Sequence, residues 1–368
     1  MKIALYFFRL SQSSGGAERM LVMLARSLAD RGHEVHVVSW DPPGSVAFFE
    51  LPGAVQWHQL GFAPGRWDKW RRTVALARVL SRTGCDVFVG FVMSADKTVY
   101  AGCLLARVPI VVAERNSPDM YRLKFGPATR DFYMRLLRLA SKVVVQIEDY
   151  RAGYPAWLRP RIEVIPNPVR QATRTAEPGL RREEGWTLLS VGRLDPQKNH
   201  DALIRAFGQV AGEFPDWRLR IAGEGALRPD LTRLVEQLAL GGRVQLAGAI
   251  EDVDSEYANS HLFCLASRWE GFPNALAEAM AHGLPVVGYA GCPGVNSLVE
   301  HGQDGLLAPG NGDVATLAEA LRRLMGNPAE RRDFGRNSQR IAQRFDAAQI
   351  ARQWERVIAQ SAGVTADA

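Results

Sequence analysis

A short apolar run, His261-Leu262-Phe263-Cys264-Leu265-Ala266, meets chain breakers at Gly271 and Pro273, and the helical stretch Asn274–Ala281 follows until Gly283 stops it. Pro285-Val286-Val287 then resumes an apolar run. By periodicity and breaker rules this is strand, loop, helix, strand. Strands joined through a helix pair in parallel, and parallel sheets need helices on both faces. This one segment therefore commits the chain to α/β layers. It also puts one carboxylate, Glu270, in the strand-to-helix loop and a second, Glu278, further along the helix.

The same alternation runs from end to end, so the fold class is α/β with two Rossmann-like domains. Strands are expected at residues 3–8, 34–39, 55–60, 86–92, 109–113, 142–146 and 162–165, and then, after a fresh start, at 187–191, 218–222, 244–246, 262–265 and 286–289. Pro166-Asn167-Pro168 ends the first set, and the polar, proline-containing stretch 171–184 reads as an interdomain linker. The expected domains are residues 1–170 and 171–345. The tail from Asp313 reads as helical throughout. Its last segment, 346–362, carries Ile350, Trp354, Val357 and Ile358 at helical spacing.

With 368 residues, each half is large enough to bury a core of its own. No apolar run approaches the roughly 20 residues that cross a bilayer, and Met1–Arg9 reads as a first strand rather than a signal peptide. Cys85, Cys103, Cys264 and Cys292 are scattered, as buried thiols in a reducing cytoplasm would be. Residues 1–170 hold 24 Lys and Arg against 14 Asp and Glu, whereas the remainder holds 21 against 25. A basic first half faces something anionic, and charge alone leaves nucleic acid and membrane surface both open. No nucleic-acid motif accompanies the charge, so no nucleic-acid partner is expected. The stretch 66–82, with Trp67, Trp70, Arg71 and Arg72 at one end, is basic and amphipathic. It suits either an anionic membrane surface or an ordinary domain face with Leu76, Val79 and Leu80 inward.

Free N–H groups at a helix N-terminus make an anion cradle, and here it lies between Glu270 and Glu278. Acids at each end and a diphosphate site between them suit a nucleotide sugar. Acids eight residues apart are also common on solvated helices, so the context has to decide. Val191-Gly192-Arg193-Leu194-Asp195-Pro196-Gln197-Lys198-Asn199-His200 adds two cations in a strand-to-helix loop, able to close on a diphosphate or to serve as plain loop charges. Gly15-Gly16 lies between the first strand and first helix, where glycines allow close backbone approach to phosphate or sugar, or make a simple turn. No Gly-x-Gly-x-x-Gly is present and no acid is expected at the end of the second strand, which argues against a nicotinamide cofactor. No cofactor is expected.

Together Ser267–Val287, the 191–200 run and Gly15-Gly16-Ala17-Glu18 resemble retaining family-4 glycosyltransferases of the GT-B fold. The resemblance is clearest over residues 185–310 and diffuse through 40–110. It implies a nucleotide-sugar donor, UDP-linked, and a first domain that binds a glycan or polyprenyl-diphosphate-linked acceptor. It further implies that the last helix returns to the first domain and that the protein works in the cytoplasm or on the inner face of its membrane. Carried over by position, Arg193 and Lys198 take the diphosphate, Glu270 the sugar hydroxyls and Glu278 the ribose. Gly271, Phe272, Pro273, Asn274 and Ala275 supply the cradle, and Gly15 and Gly16 close over the donor. Many members carry a His where this chain has Glu114-Arg115-Asn116, as does a bacterial subset that builds surface polysaccharides and lipid-linked oligosaccharides. Arg115, Asn116 and Asn167 are the candidates there. Asp252-Val253-Asp254 looks like a metal pair but sits where helix N-terminal acids are common, and no metal is expected. Two other readings compete: a non-hydrolysing UDP-sugar epimerase on the same fold, and a nucleotide-sugar-binding protein without turnover.

Overall fold

A computed structural model describes residues 1–12, 15–62, 68–93 and 96–364, without the side chains of 122–124. Two compact units form, one from Met1–Asn167 with Ala348–Ala368 and one from Pro168–Ala347. The first contains β1 (Lys2–Tyr6), α1 (Gly16–Asp30), β2 (Glu34–Ser39), β3 (Gln56–Gln59), α2 (Lys69–Thr83), β4 (Val87–Phe91) and α3 (Lys97–Ala106). It continues with β5 (Ile110–Ala113), α4 (Asp119–Lys124), α5 (Pro127–Leu136), β6 (Lys142–Val145) and β7 (Ile162–Val164). The second begins with β8 (Trp186–Val191), α6 (His200–Val210), β9 (Trp217–Ala222), α7 (Arg228–Gln237), β10 (Val244–Gly248), α8 (Val253–Ala258) and β11 (Leu262–Leu265). Then come α9 (Asn274–Ala281), β12 (Val286–Tyr289), α10 (Val295–Leu298), β13 (Gly305–Ala308), α11 (Val314–Gly326), α12 (Pro328–Ser338) and α13 (Ile341–Arg344). The last helix, α14 (Ala347–Ala362), belongs to the first unit from Ala348.

Both sheets are parallel in every pairing. The first runs β3-β2-β1-β4-β5-β6-β7 and the second β10-β9-β8-β11-β12-β13. Central strands such as β4 and β11 are buried along their whole length, as sheets with helices on both faces require. The order reverses direction between β1 and β4 and again between β8 and β11. At such switch points the loops beyond the strand ends diverge and leave room for a ligand.

Strand β13 escapes the sequence reading because Gly305-Leu306-Leu307-Ala308 is four residues at a sheet edge. The tail is helical, as expected, and is divided into four helices. Asp313 caps α11 through the Ala315 and Thr316 N–H groups, and Asn327 caps α12 through Glu330 N–H, with Pro328 opening the helix. The stretch 171–184 is not a free linker either. It lies within the second unit, where Ala176 N–H donates to His282 O (2.7 Å) and Arg331 Nε to Pro178 O (2.8 Å). Arg331 is fully buried, also donates to the Leu324 and Met325 carbonyls, and lies over the rings of Trp186 and Trp217.

The helix α2 settles the orientation of the basic stretch, of which Arg66 and Trp67 lie outside the described residues. Leu76 and Leu80 are buried, and so is Arg72, which pairs with Asp96 (2.5 Å) and lies over the Trp40 ring. Arg72 is therefore a core cation and not part of an outward basic face, whereas Trp70 is 70% exposed. Periodicity marks the inward positions but cannot tell that a long cation will follow them in.

Helix α14 buries Ile350, Trp354, Val357 and Ile358, and Trp354 stacks on Phe91 at the end of β4 (centroids 5.7 Å apart). Glu355 on the same helix pairs with Arg31 and His33 beyond α1. Trp354→Ala is expected to cost about 3–5 kcal/mol by opening a cavity in the first unit. Chemical denaturation followed by fluorescence checks this; a loss below 1 kcal/mol would mean that α14 contributes little to that core.

Candidate active site

The second unit brings the predicted cationic loop and the predicted acid together at its switch point. Strand β8 ends at Val191 and hands over to the loop 192–199, while β11 ends at Leu265 and hands over to 266–273. Because β8 and β11 are neighbours, these loops lie side by side. Arg268 N–H donates to Gln197 O, Gln197 Nε2 to Trp269 O, and Asn199 Nδ2 to Ala266 O. Asn199 occupies the left-handed region (φ 56°), which its short amide side chain tolerates better than most. Gly223, in the next loop, has φ 145°, and a Cβ there would stand 2.0 Å from the Gly192 carbonyl oxygen. Only glycine lets the two backbones approach so closely.

Lys198 Nζ and Glu270 Oε1 form an ion pair at 2.7 Å, and Ser267 Oγ donates to the same oxygen at 2.5 Å. The Glu270 side chain is 5% exposed and that of Lys198 15%. The lysine stem runs over Gly192, where a Cβ would meet its methylenes at 3.2 Å. Arg193, by contrast, extends outward with its side chain 74% exposed and pairs with Asp195 (3.1 Å). The two cations five residues apart thus differ in kind: one is built into the wall and one is held near the surface.

Helix α9 begins at Asn274, as the breakers predict. Of the cradle 271–275, Pro273 has no N–H and Asn274 spends its own on Phe272 O (2.8 Å), so neither can serve a ligand through its amide. The Phe272 ring turns inward onto Phe345 (5.3 Å), so only its backbone can serve. Glu278 follows on the half-exposed side of α9 and accepts from the Tyr257 hydroxyl (3.1 Å). Tyr257 is fully buried, which fixes that carboxylate in place.

Asp252 caps α8 through Ser255 N–H (3.0 Å) and pairs with Arg174, while Asp254 pairs with Arg170. These capping bonds hold Asp252 down to about 2. No group of three or more potential metal ligands occurs among the described residues.

In the first unit, Gly15 caps α1, and the buried Glu18 folds back so that a Cβ at Gly15 would stand 2.7 Å from its Oε2. Ser13 and Ser14 lie outside the described residues. The helix N-terminus thus already has a carboxylate of its own beside it. Contrary to the sequence expectation, an acid does follow β2. Asp41 is fully buried two residues beyond it, but it accepts from Leu10 N–H (2.8 Å), Ser11 N–H (3.1 Å) and Ser11 Oγ (2.5 Å). It braces the β1–α1 loop and is spent there. Beyond β5, β6 and β7, Arg115, Gln146 and Asn167 converge, with Arg115 donating to Asn167 Oδ1 and Asn116 half-buried beside it. All four cysteines are free and buried.

Residues 14–172 match the family described as Glycosyltransferase Family 4, and 172–341 the one described as Glycosyl transferases group 1. The chain is a family-4-type glycosyltransferase of the GT-B fold. It is 38% identical to an exopolysaccharide phosphotransferase of Streptomyces coelicolor over 94% of its own length, although it spans only 39% of that relative. A second relative comes from Campylobacter jejuni, the GalNAc-alpha-(1->4)-GalNAc-alpha-(1->3)-diNAcBac-PP-undecaprenol alpha-1,4-N-acetyl-D-galactosaminyltransferase, 25% identical over 98% of this chain and 99% of that one. Among solved structures, sucrose-phosphate synthase from Thermosynechococcus elongatus superposes with a TM-score of 0.81 at 22% identity, covering 98% of each chain. Anabaena HepE, solved with UDP and glucose, gives 0.77 at 22% identity over 98% of this chain and 100% of that one.

The sequence reading of this glycosyltransferase misses His200, the first residue of α6 and a neighbour of Lys198. Burial, with the Lys198 charge nearby, presses its imidazole down to about 4. The unfolded chain binds a proton near pH 6.5 that the folded chain refuses until about pH 4. The stability this represents is present above pH 6.5 and is lost as pH falls toward 4, on the order of 3 kcal/mol in all. His200→Gln is expected to flatten that slope, read as Tm against pH from 7 to 4; an unchanged slope would assign the acid sensitivity elsewhere.

Proposed function

We propose that this glycosyltransferase moves a hexose or N-acetylhexosamine from a UDP-sugar to a glycan or lipid-linked glycan, with retention of anomeric configuration. The observation that carries the reading is the Lys198–Glu270 pair set beside the α9 N-terminus at the β8–β11 switch point. A charge preorganised where a leaving diphosphate develops negative charge is usually the largest single catalytic contribution. Lys198 takes the diphosphate from within the wall, and the exposed Arg193 swings from Asp195 to the same oxygens. Glu270 accepts from sugar hydroxyls, the Gly271, Phe272 and Ala275 amides hold sugar and phosphate, and Glu278, steadied by Tyr257, accepts from the ribose. Departure of UDP leaves an oxocarbenium-like centre, and the acceptor hydroxyl attacks from the face the diphosphate vacates. Its proton passes to the departing phosphate oxygen, so no separate protein base is needed. In the first unit, the carboxylate of Glu18 at the α1 N-terminus favours a neutral sugar near Gly15 and Gly16 over a phosphate. The acceptor class is supported by the Campylobacter relative, whose name specifies a PP-undecaprenol-linked glycan.

Incubation of the purified protein with a UDP-sugar panel and lipid-linked oligosaccharides, with product anomers read by NMR, tests the reading. An α-linked donor should give an α-linked product, and activity should survive EDTA because Lys198 and Arg193 face the diphosphate. An inverted product would overturn retention. Activity lost on chelation and restored by Mg²⁺ would overturn the assignment of the diphosphate to the two cations. Epimerised donor without any transfer would favour the isomerase.

Lys198→Ala is expected to lower kcat about 10²–10³-fold. Glu270→Gln should lower it too, and the double variant should lose clearly less than the two single losses combined, because the residues act as one contact. Strictly multiplicative losses in steady-state kinetics would separate their roles.

A further inference from the structure

Arg115 is a buried cation that forms no ion pair with an acid among the described residues. Its Nη2 donates to Asn167 Oδ1 and, with the Gln146 amide oriented to satisfy both its ends, to Gln146 Oε1 at 3.0 Å. Nε and Nη1 are buried and have no hydrogen-bond partner among the described residues. The Phe91 ring lies 5.7 Å from the guanidinium carbon. The adjacent Glu114 is engaged elsewhere: its Oε2 accepts from the Tyr121 hydroxyl at 2.5 Å, and burial raises its carboxyl to about 7. Burial alone draws Arg115 down to about 9.

The other two buried arginines each leave one nitrogen, not two, without a hydrogen-bond partner among the described residues. Arg72 has Asp96, and Arg331 has three carbonyl acceptors and two indole rings. Holding a guanidinium in the interior without a counter-ion is costly, and a bound anion that completes the charge offsets that cost. The neighbours of Arg115 come from the turns after β5, β6 and β7, which is the carboxyl edge of the parallel sheet where ligands of such folds bind. We infer that Arg115 binds an oxyanion of the substrate through its guanidinium, two of whose nitrogens have no hydrogen-bond partner among the described residues. The inference rests on the transferase reading and narrows it: one of the two substrates carries a carboxylate or a phosphate beyond the UDP diphosphate. A uronic acid would supply the first and a phosphorylated acceptor the second.

The full chain is first saturated with UDP, so that the donor's own phosphate site is occupied, and then titrated with glucuronate or with inorganic phosphate while Tm is followed. One of the two should raise Tm by roughly 2–4 °C. Protection by glucuronate points to a carboxylate-bearing sugar, and protection by phosphate to a phosphorylated acceptor. Arg115→Met should abolish that protection, keep the Tm shift produced by UDP alone, and leave the anion-free Tm equal or higher. If Arg115→Met does not fold, Arg115→Lys keeps the charge but not the planar fork, and should weaken the protecting anion about tenfold. A parent that fails to bind UDP would instead sink the transferase reading. UDP binding with no protection by either anion overturns the present inference. So do equal protection of Arg115→Met and an unchanged affinity in Arg115→Lys.

Discussion

A lysine and a glutamate drawn from loops 72 residues apart meet at the point where the second sheet reverses its strand order, and the local architecture is arranged around that contact. Two ions taken out of water attract each other strongly, but each loses its hydration, so the pair is worth keeping only where geometry is tightly held. Here the holding is visible. Ser267 shares the acceptor oxygen, Gly192 makes way for the lysine stem, Gly223 lets its own loop close on Gly192, and backbone bonds tie the two loops together. Were the pair broken, the second ion would stand half-dehydrated beside the positive end of α9. On the proposed reading, a diphosphate entering that space would meet a lysine already oriented beside a helix N-terminus, with little reorganisation left to do when charge develops.

Much of the fold can be read from residue order alone, because its signals are local. The α9 helix starts at Asn274 and ends at Ala281 as Pro273 and Gly283 dictate, and the apolar runs fall on strands buried on both faces. The errors share one cause: they concern what is decided by distant partners. Whether Arg72 points out or in depends on Asp96 across from it. Whether 171–184 hangs free depends on Arg331, about 150 residues later. Asp41 is a plain acid in the sequence and becomes a loop brace only when β1 and β2 lie side by side.

The candidate site divides in the same way. The residue types and their loops follow from motif and resemblance. The pairing of Lys198 with Glu270, the outward reach of Arg193 and the loss of the Asn274 amide to Phe272 do not, because each depends on which strands become neighbours or how one turn closes. His200 and the burial of Arg115, a residue its loop position had already singled out, are the sharper examples. Each acquires its character from burial, which periodicity alone does not assign to a residue at the edge of an element.

The return of α14 to the first unit separates position along the gene from position in the fold. Its tryptophan closes a core whose other walls were laid down some two hundred and sixty residues earlier. During synthesis the first unit must wait, with the aromatic end of β4 uncovered, until the second has been made. An early stop codon near residue 346 would spare every residue proposed to hold the donor and still injure the other half of the molecule. In a genetic screen such alleles would group with lesions in residues 1–167, far from them on the map.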